Sequence, residues 1–298
     1  MCGDGCNDKG EGIERRSFLT GAAITIVGVA FGSKAVGQQQ KLSETRALDD
    51  PNIIHGRVTF KSGSETIDGY LARPKKKGRY PAVIVVPGNR IEEPYIPETA
   101  AMLAQGEFVG LAVNIYHLMP VSTNPQASPT SASPQEQLNI VANRMPDELT
   151  MQDIKAGLDY LKVQSFVKRK RTGIMGFCSG GRYALMFTAQ SKEIAAAVSF
   201  YGTLILPPIF NRKRTPFDLI KQIRVPVQGH YGTQDTNAPL GDAKLFEKEL
   251  RAQNTLAEIF TYETGHGFFA YNRDEAYQPE AARLAKERTL TFFRRYLR

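Results

Sequence analysis

Residues 176–181 read Gly-Phe-Cys-Ser-Gly-Gly, after an apolar pair, Ile174 and Met175, and before a helix-like segment over residues 182–190. A chain passing from strand to helix through residues this small turns sharply, and the two backbones come too close for larger side chains. The turn lifts Cys178 above the strand. Ser179 then opens the helix, so its backbone N–H has no intrahelical partner and can face a developing anion.

Strands and helices alternate around that turn. Residues 53–60 and 66–72 read as two strands joined by a hairpin at Lys61-Ser62-Gly63-Ser64. Residues 81–86 are continuously apolar, with three valines, as in a strand buried on both faces of a mainly parallel sheet. Further strands are predicted over 108–113, 194–201, 225–231 and 256–262. Helices are predicted over 97–105, 135–144, 147–163, 240–253 and 279–297; Ile154, Leu158 and Leu161 share one face of the third. The alternation predicts an α/β fold, a doubly wound, mainly parallel sheet with helices on both faces, whose site lies at the carboxyl ends of the strands. Residues 114–134, rich in Ser, Thr and Pro, are expected to be a substrate-side loop or disordered.

The N-terminus is read apart from this fold. Arg15-Arg16-Ser17-Phe18-Leu19 precedes a charge-free apolar stretch to Gly32, and Ala35-Val36-Gly37 is a small-x-small cleavage sequence. This layout predicts a twin-arginine export signal over residues 1–37, a flexible lead-in over 38–52, and one α/β domain over 53–298. The apolar stretch is shorter than the roughly 20 residues of a comfortable membrane span. The expected location is periplasmic or extracellular, or membrane-anchored if the signal is kept. Cys2 and Cys6 precede the signal, so Cys178 is the sole cysteine of the processed chain and has no disulfide partner. The net charge of +8 comes in short runs, Lys75 to Lys77 with Arg79, Lys168 to Arg171, and Arg212 to Arg214, each expected in a solvated turn rather than in a nucleic-acid surface. No zinc spacing, P-loop or GxGxxG is present, and no cofactor or metal is expected.

Three chemical groups follow successive strand ends. Cys178 follows one strand, Asp235 closes Gly232-Thr233-Gln234-Asp235 after another, and His266 stands between Gly265 and Gly267 after the last. A thiol attacks as thiolate, which a helix N-terminus and a nearby imidazole favour. Asp235 would fix the imidazole tautomer. The oxyanion donors would be the Ser179 N–H and that of Gly88 or Asn89, since Pro87 has none. His230, inside a strand, is expected to be structural, and His55 has no partner in view. Tyr116 and His117 end a strand on the same rim and are candidate substrate contacts, as are Arg90 and Arg273.

The segments Gly176 to Gly181, Tyr231-Gly232-Thr233-Gln234-Asp235 and Gly265-His266-Gly267-Phe268 resemble the dienelactone hydrolase family, as do Ile67 to Ala72 and the closing helix. The order of nucleophile, acid and histidine is that of the α/β-hydrolase fold. The resemblance runs from about Gly56 to the C-terminus and implies hydrolysis of a small-molecule ester or lactone by a Cys-His-Asp triad through an acyl-enzyme, without cofactor. Three positions depart from members that open dienelactone. Gly88 stands where they carry a glutamate facing the resting thiol, and Leu118 and Ala270 stand where arginines hold the substrate carboxylate. These departures argue against a small anionic lactone and keep open a catalytically silent binding protein of the same fold. A redox role for the thiol lacks a resolving cysteine.

Overall fold

The structure, a computed structural model, describes residues 46–118, 146–206 and 214–298. The segments expected to form the export signal and the helix over 135–144, most of the 114–134 stretch, and Arg212 and Lys213 lie outside the described residues. The described residues form one compact unit.

Eight strands make one sheet: β1 (Ile53–Ser62), β2 (Glu65–Pro74), β3 (Tyr80–Val86), β4 (Val109–Val113), β5 (Val167–Phe177), β6 (Ile194–Phe200), β7 (Val227–Gly232) and β8 (Ala257–Tyr262). Their order is β1-β2-β4-β3-β5-β6-β7-β8. The β1–β2 and β2–β4 pairs are antiparallel and the rest parallel, which is the predicted α/β-hydrolase architecture. The hairpin is tighter than expected, since Ser62 already pairs with Glu65 and Gly63 takes φ 58°, a left-handed turn that glycine adopts without strain.

The helices are α1 (Tyr95–Gln105), α2 (Asp147–Val163), α3 (Ser179–Gln190), α4 (Leu240–Ala252) and α5 (Pro279–Leu297). In α5, Ala282, Ala285, Thr289, Phe293 and Leu297 recur at helical spacing and are buried. Helices α1 and α5 cover one face of the sheet: Gly110 of β4 abuts Ala100 and Gly173 of β5 abuts Phe293 and Leu297. Helices α2, α3 and α4 cover the other. Ala82 to Val86 of β3 are wholly buried between the layers, as a continuous apolar run requires.

Two expectations fail. The run Lys168 to Arg171 lies within β5 rather than in a turn. Val167 pairs with Tyr80, yet the next pair is Thr172 with Ala82, so the basic residues occupy a bulge whose side chains are exposed. The lead-in is also docked from residue 46 onward. Ala47–Asp49 forms a 3-10 turn with Ala47 buried, and the backbone N–H groups of Ala47 and Leu48 donate to the Glu98 carboxylate of α1.

Strand order places the site. From β3 the chain moves outward to β4, then returns across β3 to β5. The carboxyl ends of β3 and β5 therefore flank the point where the winding reverses, a crevice that sheets of this class use for ligands.

Candidate active site

Cys178 sits at the end of β5 with φ 53° and ψ −123°, a strained conformation costing a non-glycine residue about 1–3 kcal/mol. Its neighbours explain how the turn survives. A Cβ on Gly176 would lie 2.2 Å from the Gly180 carbonyl oxygen, and one on Gly180 would lie 2.2 Å from that of Val86. The Cys178 N–H donates to Phe200 O at 3.0 Å and its carbonyl accepts from the Arg182 N–H at 3.2 Å. The turn is thus tied to β6 on one side and to the first turn of α3 on the other.

Cys178, His266 and Asp235 converge. His266 Nε2 is 3.0 Å from Cys178 Sγ, and His266 Nδ1 is 2.8 Å from Asp235 Oδ2. Asp235 Oδ1 accepts the N–H groups of Asn237 and Ala238 at 2.8 and 3.0 Å, and the carboxylate is shielded from solvent. Gly232 makes the approach feasible, since a Cβ there would lie 2.2 Å from Thr264 O in the loop that carries His266. Burial by itself would lower the His266 pKa. Hydrogen bonds to Asp235 and Cys178, reinforced by their charges, outweigh it and carry the value up to about 9. The raised value favours the protonated ring in contact with the sulfur.

Gly88 abuts the same turn: a Cβ there would lie 2.4 Å from Phe177 O and 2.8 Å from Cys178 Cβ. A glutamate at this position would need the backbone to move. The Gly88 carbonyl accepts from both Tyr116 Oη and Ser179 Oγ at 2.9 Å, and those hydroxyls are 2.8 Å apart. Because carbonyl and N–H of one trans peptide point in opposite directions, this arrangement turns the Asn89 N–H away from the two hydroxyls. Neither that N–H nor the one of Ser179 has a hydrogen-bond partner among the described residues.

A cavity of about 150 Å³ opens over the sulfur, lined by Gly88, Asn89, Tyr95, Cys178, Tyr201, His266, Gly267, Ala270 and Arg273. Of the expected substrate contacts, Arg273 alone lines it. Its guanidinium is anchored to Glu93 through Nη2 at 2.6 Å and Nε at 3.3 Å. Tyr116 is instead a brace beneath the Gly88 loop. His117 turns away to Asp153, with Nε2 3.1 Å from Oδ2, and Asp153 in turn accepts from Ser62 Oγ at 2.6 Å. Both residues stand in the turn after β4 rather than in the strand itself, so strand alternation does not set their directions. Arg90 does not line the cavity. His230 is structural, as expected: it is buried against Tyr262, Gln228 and Thr289, and burial with Arg288 nearby pushes its pKa down to about 3. His55 stacks on Tyr70, and its Nδ1 lies 2.6 Å from that hydroxyl.

Tyr95, Tyr201 and Glu93 went unmarked in the sequence. Tyr201 directly follows β6, on the same rim as the three reactive groups, and that position was the available signal. Tyr95 begins α1 and Glu93 precedes it, where nothing in the local pattern distinguishes them from solvated positions.

Among known proteins, the sequence profile of the dienelactone hydrolase family matches residues 67–297. A Bradyrhizobium protein named "Probable 2-oxo-3-(5-oxofuran-2-ylidene)propanoate lactonase" is 34% identical over 245 residues, covering 80% of this chain and 94% of its own. An Escherichia coli K12 protein named "Putative carboxymethylenebutenolidase" is 30% identical over 254 residues, covering 83% and 89%. The crystal structure of a Klebsiella pneumoniae protein described as a "Putative Dienelactone Hydrolase" superimposes with a TM-score of 0.71 at 29% identity, covering 82% of this chain and 99% of that one. Its sequence across residues 67–297 and its fold together show that this chain belongs to the dienelactone hydrolase family of α/β-hydrolases.

Proposed function

We propose that this ester or lactone hydrolase works by covalent catalysis, with Cys178 as nucleophile, His266 as proton carrier and Asp235 as its orienting partner. The observation that carries the reading is the contact chain Cys178 Sγ, His266 Nε2, His266 Nδ1, Asp235 Oδ2, with links of 3.0 and 2.8 Å, at a strained turn open to the cavity. The thiolate attacks the carbonyl carbon and the charge moves to the carbonyl oxygen, facing the N–H groups of Ser179 and Asn89. The tetrahedral species collapses, the C–O bond to the alcohol breaks, and His266 gives its proton to the leaving oxygen. For a lactone that alcohol stays attached to the acyl chain. Neutral His266 then takes a proton from water, hydroxide adds to the thioester, and the C–S bond breaks to release the acid and restore the thiolate.

The alternative of a silent binding protein leaves the Cys178–His266 contact and the open cavity unused. Export by the twin-arginine route is part of the same proposal and rests on Arg15-Arg16, the apolar stretch and Ala35-Val36-Gly37. Cys178→Ala should abolish hydrolysis of 4-nitrophenyl butyrate; turnover retained in that variant would remove the proposed nucleophile.

A further inference from the structure

Two buried phenols above the sulfur have no assigned task. Tyr95 is 4% exposed and Tyr201 2% exposed. They flank Phe177, the residue before the nucleophile, with ring centroids 5.2 and 6.3 Å from it, and both line the cavity. Each ring is fixed by packing: Tyr201 lies edge-on to His266 at 4.9 Å. Yet neither hydroxyl has a hydrogen-bond partner among the described residues. Neither oxygen is among the fully buried unpartnered atoms there, so each is reachable from the cavity that both residues line, where a ligand oxygen can take the place of water as acceptor. Burial raises the pKa of both phenols, so they stay protonated and can donate.

The neighbouring cation is already engaged. Arg273 holds Glu93 through two nitrogens, and Glu93 also accepts from Asn89 and Asn272 at 2.8 and 3.3 Å. The wall formed by Tyr95, Tyr201 and Arg273 therefore offers donors with its positive charge compensated. A volume of about 150 Å³ is that of a cavity filled by a molecule the size of benzene.

We propose that Tyr95, with Tyr201 beside it, selects substrates whose acyl portion carries an uncharged oxygen (ether, hydroxyl or ketone) within reach of the phenol donors, on a skeleton of about six heavy atoms. This inference rests on the thiol hydrolase reading and narrows its substrate class.

The test compares two 4-nitrophenyl esters of nearly the same shape, butyrate and methoxyacetate, in which an ether oxygen replaces one methylene. Their intrinsic reactivities differ, so the quantity to read is the change in the ratio of kcat/KM values, methoxyacetate over butyrate, between wild type and Tyr95→Phe. The ratio is expected to fall roughly tenfold, the worth of one hydrogen bond of about 1.4 kcal/mol. An unchanged or increased ratio overturns the proposal. So does a wild-type preference for the 4-nitrophenyl monoester of succinic acid over methoxyacetate after correction for alkaline hydrolysis, because a carboxylate would then be the preferred group. If circular dichroism shows that Tyr95→Phe is unfolded, Tyr201→Phe is read by the same criterion. Failure of the underlying reading looks different: wild type would hydrolyse neither ester, or Cys178→Ala would hydrolyse both.

Discussion

Replacing Asp235 with asparagine tests how the histidine is held. Asp235 Oδ1 receives two backbone N–H groups, from Asn237 and Ala238, while Oδ2 faces His266 Nδ1. In Asp235→Asn the same two donors keep the amide oxygen on their side, which turns the NH₂ toward His266. Nδ1 must then accept, so the ring proton moves to Nε2 and the nitrogen facing Cys178 loses its lone pair. Turnover should fall roughly a thousandfold or more, as expected for the wrong tautomer.

Stability changes as well, and its sign follows from the histidine. His266 rises from an ordinary 6.5 to about 9, a difference equivalent to about 3 kcal/mol shared between Asp235 and Cys178. Because the folded value lies above the unfolded one, this stabilisation is complete below about pH 6.5 and disappears as the pH rises through about 9. Urea unfolding of wild type and Asp235→Asn at pH 6, 7.5 and 9.5 should therefore give a stability gap of about 1–3 kcal/mol at pH 6 that narrows by pH 9.5. A gap that widens with pH, or turnover within tenfold of wild type, would refute the reasoning.

Two further substitutions probe the frame around the sulfur. Tyr116→Phe removes the hydroxyl that bonds Gly88 O and Ser179 Oγ and should lower kcat roughly tenfold with little change in KM, since the Asn89 N–H loses its brace in the transition state. Gly180→Ala drives a Cβ to 2.2 Å from Val86 O and should lower stability by about 1–3 kcal/mol in thermal unfolding, whereas Gly241→Ala in α4, with nothing within 4 Å of its Cβ, should be neutral or stabilising.

The legible parts of the sequence were those governed by local rules. Helices over 147–163 and 279–297 have the bounds their periodicity indicates, and the glycine turn announced both Cys178 and the close packing around it. Asp235 and His266 could be paired because both follow strand ends, and sheet topology gathers such ends on one rim. The misses depended on orientation or on tertiary pairing. Tyr116 and His117 sit at the right strand end, but one braces a loop and the other turns to Asp153. The Lys168 to Arg171 bulge arises from pairing with β3, which no local pattern records. Tyr95 reaches the cavity only because α1 packs beside Phe177, a contact 82 positions away in the chain.

The most direct measurement is to trap the covalent intermediate. Wild type mixed with 4-nitrophenyl butyrate, quenched in acid within the first turnover and digested, should carry a butyryl group on the peptide containing Cys178, and Cys178→Ala should carry none and release no nitrophenol above background. A butyryl group on another residue, or undiminished hydrolysis by Cys178→Ala, would contradict the account of this thiol as the nucleophile.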